Sequence, residues 1–359
     1  MRVFPVFFTA LFAVDAFTAS PRRYKVSSPS TWLLHDTLPN PFGTPVGTNS
    51  NSSGSSSISS SSSSIRRAQE LVKTLVVDEQ CFSTEQGALA FADACSFNVV
   101  YEDCFQPQPI TGKTPVTQYL MDKVAARKGK GSIRVDMISD GDAACGFAWT
   151  WISGDQEGLR GTTFVGLNDQ GQISFLREIP EPIFKPGDLT LELLKAVTAG
   201  AEPNVVEPYE PQTPERACDV VDYLFNTVQG SSVDESMRMF DDTIVYRDFN
   251  YEDILRGKDQ VRKFIEDFSF PGIEFRTQRI DDGIDSCCFT WEVALADAPD
   301  TIKGISFYTL DPSTRKVSYV RDIPESAIKP PILGKLARDF RPGLGVFQGV
   351  KAGSRPGGM

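Results

Sequence analysis

The sequence predicts an α+β protein built from two tandem, cone-shaped domains, each a curved, mostly antiparallel sheet wrapped on helices. Two observations carry this prediction. The second half of the chain repeats motifs of the first half in a nearly constant register, and each half runs from helical patterns to a series of alternating strand patterns. A length of 359 residues also suits two domains of ordinary size between a leader and a tail.

The internal repeat is defined by short matching motifs. Val99–Asp103 (VVYED) matches Ile244–Asp248 (IVYRD) at a spacing of 145 residues, and the pair Gly112-Lys113 matches Gly257-Lys258 at the same spacing. Two further matches are Phe147–Trp149 (FAW) with Phe289–Trp291 (FTW), and Arg177–Glu181 (REIPE) with Arg321–Glu325 (RDIPE). Spacings that change so little along the chain indicate a duplication.

Each repeat is predicted to begin with two helices, followed by a strand that ends in Tyr-x-Asp and by a third helix. Val261, Phe264, Ile265 and Phe268 recur at helical spacing, which predicts that third helix in the second repeat. In the first repeat, Thr114 and Pro115 are typical of the cap and first turn of the corresponding helix. The predicted helices before the strand are 67–77 and 85–95 in the first repeat and 215–228 and 233–240 in the second.

Alternating strand patterns close each repeat. They lie at 132–139, 143–152, 160–167 and 171–179 in the first repeat, and at 274–280, 285–295, 303–310 and 316–323 in the second. Polar turn sequences at 168–171 and 311–314 predict a hairpin between the last two strands of each repeat. Helices followed by such a run of strands indicate a sheet that curves around the helices.

The predicted domain organisation also includes segments outside the two cones. In chain order, we expect a signal peptide (1–16), a transit-like and Ser-rich disordered segment (17–64), the first domain (65–199), a Pro-rich linker (200–213), the second domain (214–340) and a flexible tail (341–359). A signal peptide followed by a basic, Ser/Thr-bearing stretch resembles the bipartite presequence of complex plastids. We therefore expect a plastid location, with the secretory pathway as the alternative.

The composition excludes several classes of function. The net charge is −11 and no cluster of cations appears, which argues against a nucleic-acid partner, and the apolar run near the start is too short to span a bilayer. The only histidine is His35, which excludes histidine-based triads and His-ligated zinc from both domains. Any acid or base must be a carboxylate, Tyr, Lys or Cys. We predict neither a metal site nor a cofactor.

These motifs together resemble the nuclear-transport-factor-2-like (SnoaL-like) superfamily over residues 66–195 and 214–335, and more narrowly a plastid subgroup of unassigned role. The resemblance implies that the concave face of each sheet lines an apolar pocket. The superfamily holds isomerases, dehydratases, cyclases and binding proteins without catalysis, so the resemblance alone does not choose a reaction.

Strand alternation and the resemblance together predict which side chains face each pocket. Residues two apart on a strand share a face, which groups Tyr101 with Asp103 and Tyr246 with Asp248. Adding a tryptophan and an arginine from later strands gives one expected set per domain. These sets are Tyr101, Asp103, Trp149 and Arg177 in the first domain, and Tyr246, Asp248, Trp291 and Arg321 in the second.

The resemblance to ketosteroid isomerases implies roles for some of these residues. Their general-base aspartate corresponds to Asp103 and Asp248, and their oxyanion tyrosine, carried on the first helix, corresponds to Tyr223. Their second oxyanion donor falls near Thr163 and Ser306. An arginine paired with Asp248 would lower the pKa of that carboxyl. The enzyme hypothesis therefore requires Asp248 to be free of ion pairs and its pKa to be raised.

Three functional hypotheses follow. The first is a plastid-targeted protein whose cones each bind a small, largely apolar ligand, with the two domains packed as an intramolecular pseudo-dimer. The second is an enzyme of the isomerase, cyclase or hydrolase type that uses Asp248 and Tyr223, with Asp103 as the counterpart in the first domain. The third is a protein-interaction module whose pockets are vestigial.

Overall fold

A computed structural model describes residues 67–104, 106, 108–182, 184–202, 208–229, 231–295 and 301–325. The predicted signal peptide, the transit-like and Ser-rich segment, part of the Pro-rich linker, the end of the second domain and the predicted tail lie outside the described residues. No helix among the described residues is long and apolar enough to cross a membrane.

The first repeat contains three helices ahead of its final strands and one after them. The helices are α1 (Ala68–Lys73), which continues as a π-helical turn (Thr74–Asp78), α2 (Glu85–Ala94), α3 (Lys113–Arg127) and α4 (Asp188–Val197). The strands are β1 (Cys95–Asp103), β2 (Ile110–Thr111), β3 (Ser132–Ile138), β4 (Ala144–Ser153), β5 (Gln156–Leu167) and β6 (Ile173–Pro180).

From its first helix to its last strand, the second repeat has the same order of elements as the first. Its helices are α5 (Ala217–Asp222), which continues as a π-helical turn (Tyr223–Val228), α6 (Val233–Arg238) and α7 (Lys258–Asp267). Its strands are β7 (Phe240–Asp248), β8 (Leu255–Arg256), β9 (Ile273–Ile280), β10 (Ser286–Leu295), β11 (Ile302–Leu310) and β12 (Val317–Pro324). The predicted α+β class with two tandem sheets is confirmed.

One detail of the helix prediction is wrong. Thr114 is not the cap of α3, because the helix begins at Lys113 and the preceding Gly112 adopts a φ of 95°. Gly257 precedes α7 with a φ of 80°. A positive φ of this kind is open to glycine at little cost, so each chain reversal into the third helix depends on the glycine of the repeated Gly-Lys pair.

The two sheets share one strand order. It is β2-β1-β6-β5-β4-β3 in the first repeat and β8-β7-β12-β11-β10-β9 in the second. Among the described strands, the parallel pairs are β1–β6 and β7–β12, and their register sets Asp103 opposite Glu178 and Asp248 opposite Asp322. The first and last long strands of each repeat, although distant in sequence, are thus neighbours in the sheet and bring two acidic residues together.

The outer faces of the two sheets pack against each other. This interface has an apolar cluster formed by Ala144, Phe164, Phe175, Ile179, Phe249, Cys288, Ile305, Phe307 and Ile323. Polar contacts at its edge are reciprocal: Asp140 accepts hydrogen bonds from the backbone N–H groups of Asp285 and Ser286, and Asp282 accepts them from Asp142 and Ala143. The two sheet domains therefore fit an intramolecular pseudo-dimer.

Helix α4 follows the first sheet in the chain but packs on the second repeat. The backbone N–H of Gly187 donates to the carbonyl of Asn250 at 2.9 Å, and Thr190 Oγ1 donates to Asn250 Oδ1 at 3.2 Å. Leu194 belongs to the hydrophobic core of the second repeat. The first half thus contributes one wall to the second cone.

Candidate functional site in the second cone

The concave side of the second sheet encloses a cavity of about 910 Å³. Its wall is largely apolar and comes from the sheet, from the helices of the second repeat and from α4. Prominent apolar lining residues are Leu189, Leu193, Leu194, Leu224, Phe225, Phe264, Phe268, Phe275, Trp291, Val293 and Tyr308. A cavity of this volume and character is typical of a site for a small organic molecule.

Acidic residues are the only charged side chains in the described cavity wall. They are Asp248, Glu274, Asp322 and Glu325, and no Lys, Arg or His lines the cavity. A wall of this composition disfavours an anionic ligand, because nothing in it would neutralise a carboxylate or phosphate.

Asp248 and Asp322 form the polar centre of the cavity. They face each other across the parallel pair β7–β12, and both line the cavity. The hydroxyl of Tyr246, two residues before Asp248 on the same face of β7, donates to Asp322 Oδ2. Asp248 Oδ1 accepts a hydrogen bond from the backbone N–H of Asn250 at 2.7 Å. Within the described chain, neither carboxylate forms an ion pair.

The cavity favours the protonated form of both carboxyls. Burial and the negative charge of Asp322 raise the pKa of Asp248 to about 7, although the Asn250 N–H group and Lys185 oppose the shift. Burial also raises the pKa of Asp322 to about 6, against the opposing effect of the Ser306 and Tyr246 hydroxyls. Near neutral pH the pair therefore exists in part in a singly protonated form, which offers one acid and one base side by side.

Part of the Asp322 carboxylate is left without a partner. Its Oδ1 atom is buried and has no partner in hydrogen-bonding geometry. The neighbouring Ser306 hydroxyl accepts a hydrogen bond from Trp291 Nε1 at 2.7 Å. A buried acceptor of this kind is costly unless a ligand or water completes it.

The first cone holds the same tyrosine and carboxylate positions but completes them differently. Tyr101 donates to Glu178, and the ammonium group of Lys123 lies 3.0 Å from both Asp103 Oδ2 and Glu178 Oε1. The same ammonium donates to the Tyr101 hydroxyl at 3.2 Å, and the Tyr119 hydroxyl donates to Asp103. Both carboxylates of the first cone are thus paired with one ammonium group from the same domain.

The two helix residues that contact the carboxylates of the first cone are replaced by phenylalanines in the second. At the repeat spacing of 145 residues, Lys123 corresponds to Phe268 and Tyr119 corresponds to Phe264. The two phenylalanine rings contact each other, with centroids 4.9 Å apart, and both line the cavity. The two cones thus differ in one ammonium group: it is present beside the carboxylates of the first cone and absent beside the carboxyls of the second.

The predicted arginines do not lie in the cones, which corrects the expected sets. Arg177 Nε contacts Glu102 Oε2 at 2.6 Å, and Arg177 Nη2 donates to Gln278 of the other repeat. Arg321 Nε donates to Thr162 Oγ1 at 3.0 Å, also across the interface. Successive strand residues point to opposite faces, so the residue after each arginine, Glu178 or Asp322, is the one that reaches the concave side.

The expected position of Tyr223 is also corrected. The side chain is buried, its hydroxyl donates to Glu235 Oε1 at 2.7 Å and accepts from the backbone N–H of Gln212, and it is absent from the cavity wall. Tyr223 opens the π-helical turn, and the next two residues, Leu224 and Phe225, face the cavity in its place. Tyr246 is the tyrosine placed beside the carboxyl pair.

The remaining predicted site residues keep the expected neighbourhood. Tyr246, Trp291 and Ser306 line the second cavity. In the first repeat, Trp149 Nε1 donates to Thr163 Oγ1 at 3.1 Å, which reproduces the Trp291–Ser306 contact. Their roles in binding or catalysis stay predictions.

Sequence reasoning missed Asp322, Lys123 and Phe268. Asp322 is the acidic second position of the repeated REIPE and RDIPE motifs, which could have indicated it. The correspondence of Lys123 with Phe268 follows from the internal alignment at a spacing of 145 residues.

Solved structures similar to this chain match about a third of its length. An LEH-like epoxide hydrolase of M. tuberculosis is 18% identical, with 36% of this chain and 99% of that chain covered and a TM-score of 0.28. An epoxide hydrolase/cyclase-like enzyme of salinomycin pyran-ring formation is 16% identical, with coverage of 30% and 88% and a TM-score of 0.26. A steroid delta-isomerase from Pseudomonas aeruginosa is 14% identical, with coverage of 32% and 80% and a TM-score of 0.26.

The family comparison agrees with the superfamily resemblance and leaves the plastid subgroup a prediction. No curated protein matches the chain significantly. Residues 221–315, which run from the end of α5 to the turn before β12, match the family model described as SnoaL-like domain. This match lies within the second repeat.

Proposed function

We propose that the second cavity binds a small, largely apolar molecule and that Asp248 and Asp322 transfer protons to and from it, in a reaction of the isomerase, cyclase or hydrolase type. The observation that carries this proposal is the pair of carboxyls, free of ion pairs within the described chain, in the wall of a cavity of about 910 Å³. This is the state that the enzyme hypothesis required of Asp248.

The geometry supports paired acid and base roles. Facing residues on adjacent strands are about 5 Å apart, so two carboxyls can reach neighbouring atoms of one ligand. The protonated carboxyl donates its proton to a ligand oxygen, and the ionised one accepts a proton from a carbon, hydroxyl group or water. The pair ends each turnover with one proton, as it began. Tyr246 positions Asp322 through its hydrogen bond.

The first cone supplies the contrast within the same chain. Lys123 lies 3.0 Å from both Asp103 and Glu178, so the two carboxylates of the first cone share an internal cation that the pair in the second cone lacks. Asp103 is therefore assigned a structural role in this proposal, and proton transfer is assigned to the second cone alone.

The proposal can be tested with two neutral model substrates at pH 7. 3-Cyclohexenone reports proton transfer between carbons by its conversion to the conjugated ketone, and styrene oxide reports ring opening by water. We expect turnover of at least one, with a loss of about a hundredfold or more in Asp248→Asn and Asp322→Asn. Asp103→Asn is the matched control and should retain activity.

The protonation state can be measured independently of any substrate. Infrared difference spectra at pH 7 should contain a protonated-carboxyl band that disappears in Asp248→Asn or Asp322→Asn and persists in Asp103→Asn. Spectra in which the second-cone pair is fully ionised at pH 7, or turnover that survives both substitutions, would contradict the proposal.

A plastid location is part of the proposal and rests on the leader sequence. Fusion of residues 1–64 to a fluorescent protein in an alga with a complex plastid should direct the fusion to the plastid. Secretion of the fusion would support the alternative and remove this part of the proposal.

A further inference from the structure

The first cone shows which chemical group fits a site made of one tyrosine and two facing carboxylates. There, an ammonium group is held by Asp103 and Glu178 at 3.0 Å each and by the Tyr101 hydroxyl at 3.2 Å. The rings of Tyr101 and Tyr119 lie 5.6 Å and 5.3 Å from the same nitrogen, within the range of cation–π attraction. Carboxylates and aromatic faces together form a site for an organic cation.

The second cone keeps this site and lacks the cation. Tyr246, Asp248 and Asp322 stand in the positions of Tyr101, Asp103 and Glu178, while the lysine position is taken by Phe268. Asp322 is 9% exposed, and its Oδ1 is buried without a hydrogen-bond partner. In the first cone, the corresponding carboxylate of Glu178 accepts from Lys123 through Oε1 and from Tyr101 through Oε2.

The rest of the cavity is suited to the apolar body of such a cation. Phe264 lies 5.3 Å from the Tyr246 ring, and Phe268 lies 4.9 Å from Phe264, so an aromatic wall adjoins the carboxyl pair. The described wall holds no basic side chain that would repel a positive charge. The cavity volume leaves room for an alkyl or aryl group of small-molecule size.

We infer that the ligand of the second cone is an apolar amine whose ammonium group binds between Asp248, Asp322 and Tyr246, in the place that Lys123 fills in the first cone. The inference rests on the proposed use of this cavity for ligand binding and names the class of ligand. It does not depend on the proton-transfer step, because an ammonium group bound there favours the ionised form of both carboxyls and leaves no acid for a neutral substrate.

Three eight-carbon probes distinguish the charge of the ligand from its apolar body. Octylamine, 1-octanol and octanoate share a chain and differ in the head group, and their affinities for the full chain can be measured by calorimetry at pH 8. We expect octylamine to bind at least about tenfold more tightly than 1-octanol, and octanoate to bind more weakly than both. Amine affinity should rise between pH 5 and pH 8, as the carboxyls ionise, whereas 1-octanol affinity should change little.

A matched pair of variants tests the position of the ammonium group. Phe268→Lys supplies an internal cation and should remove the preference for octylamine. Phe268→Met removes the ring without adding a charge, so it should weaken octylamine and 1-octanol to a similar extent and keep the ratio of their affinities. Circular dichroism and thermal unfolding establish that both variants fold.

Each outcome has a distinct meaning. Equal affinity of wild-type protein for octylamine and 1-octanol, or an unchanged amine preference in Phe268→Lys, would overturn the inference and leave the apolar cavity of the proposed function intact. Failure of all three probes to bind would overturn the inference and the proposed ligand-binding role together.

Discussion

Phe268 stands in the second repeat at the position of Lys123 in the first, and this exchange changes the electrostatic state of an otherwise matched site. Lys123 lies 3.0 Å from two carboxylates, whereas Phe268 packs on Phe264 and leaves the corresponding carboxyls with raised pKa values. The two cones therefore differ by one ammonium group beside an otherwise matched pair of carboxyls.

The first prediction transfers the cation from one repeat to the other. Phe268→Lys should place an ammonium group beside Asp248 and Asp322, lower the pKa of both carboxyls and deplete the singly protonated form of the pair at pH 7. Turnover of a neutral model substrate should fall by about a hundredfold, because the acid is lost. Phe268→Met is the control for the lost ring. Equal activity of the two variants would show that charge at this position is unimportant.

The second prediction concerns stability and pH. The pKa of Asp248 is about 7 in the folded protein against a usual value of 3.8, so the folded state holds a proton that the unfolded chain releases as pH rises from about 4 to 7. The free energy of unfolding should therefore fall as pH rises from about 4 to 7. Above about pH 7 the buried charge should destabilise the fold to its full extent. Asp248→Asn removes that cost and should be more stable than wild type at pH 8 by on the order of 2 kcal/mol, with little difference near pH 4.

Urea unfolding at the two pH values measures this difference. Asp322 and Asp281 also have raised pKa values near 6 and titrate in a similar window, so the comparison with wild type is more informative than either pH profile alone. Asp253→Asn alters an exposed carboxylate and should leave stability nearly unchanged at both values. A wild-type advantage at pH 8 would contradict a buried charge at Asp248.

The sequence was sufficient to predict the repeat, the order of elements and the tyrosine and aspartate on the first long strand of each sheet. Alternation is a local property, so Tyr246 and Asp248 could be placed on one face without knowing what packs there. Alternation could not orient the last strand, because a shift of one residue exchanges its two faces and the register depends on pairing with a strand about 75 residues away. For this reason the sequence placed Arg321 in the pocket, whereas the structure places Asp322 there.

Two other features depend on tertiary contacts that no local pattern encodes. Tyr223 lies in a π-helical turn that directs Leu224 and Phe225 into the cavity. Helix α4 is amphipathic in sequence, but its pattern cannot show that its apolar side covers the second repeat and not the first. The equivalence of Lys123 and Phe268 follows from the sequence, but only the structure shows that Lys123 lies between two carboxylates.

The third prediction tests the ion cluster of the first cone. Lys123→Met would leave Asp103 and Glu178 facing each other while buried, with side chains 2% and 5% exposed. Breaking a buried cluster in this way should cost about 3 to 5 kcal/mol at pH 7. Lys128→Met is the matched control, because its contact with Glu85 is exposed and should contribute about 1 kcal/mol or less. Chemical unfolding at pH 7 would compare the variants, and equal costs would contradict the structural role of Lys123.

The final prediction separates the wall contributed by α4 from the stability of the fold. Leu193 lines the second cavity, yet it is 58% exposed, so a charge there should weaken ligand binding without a large loss of stability. Leu193→Asp should reduce the affinity for 1-octanol by about tenfold, because the new carboxylate must be desolvated against the apolar chain of the ligand. Leu89→Asp, at a 50% exposed position of α2 outside the cavity wall, controls for the charge and should bind like wild type. Calorimetric titration of both variants decides the matter: equal binding by Leu193→Asp and wild type would show that α4 does not form part of the ligand site, whereas a selective loss would establish that the first half of the chain completes the binding site of the second.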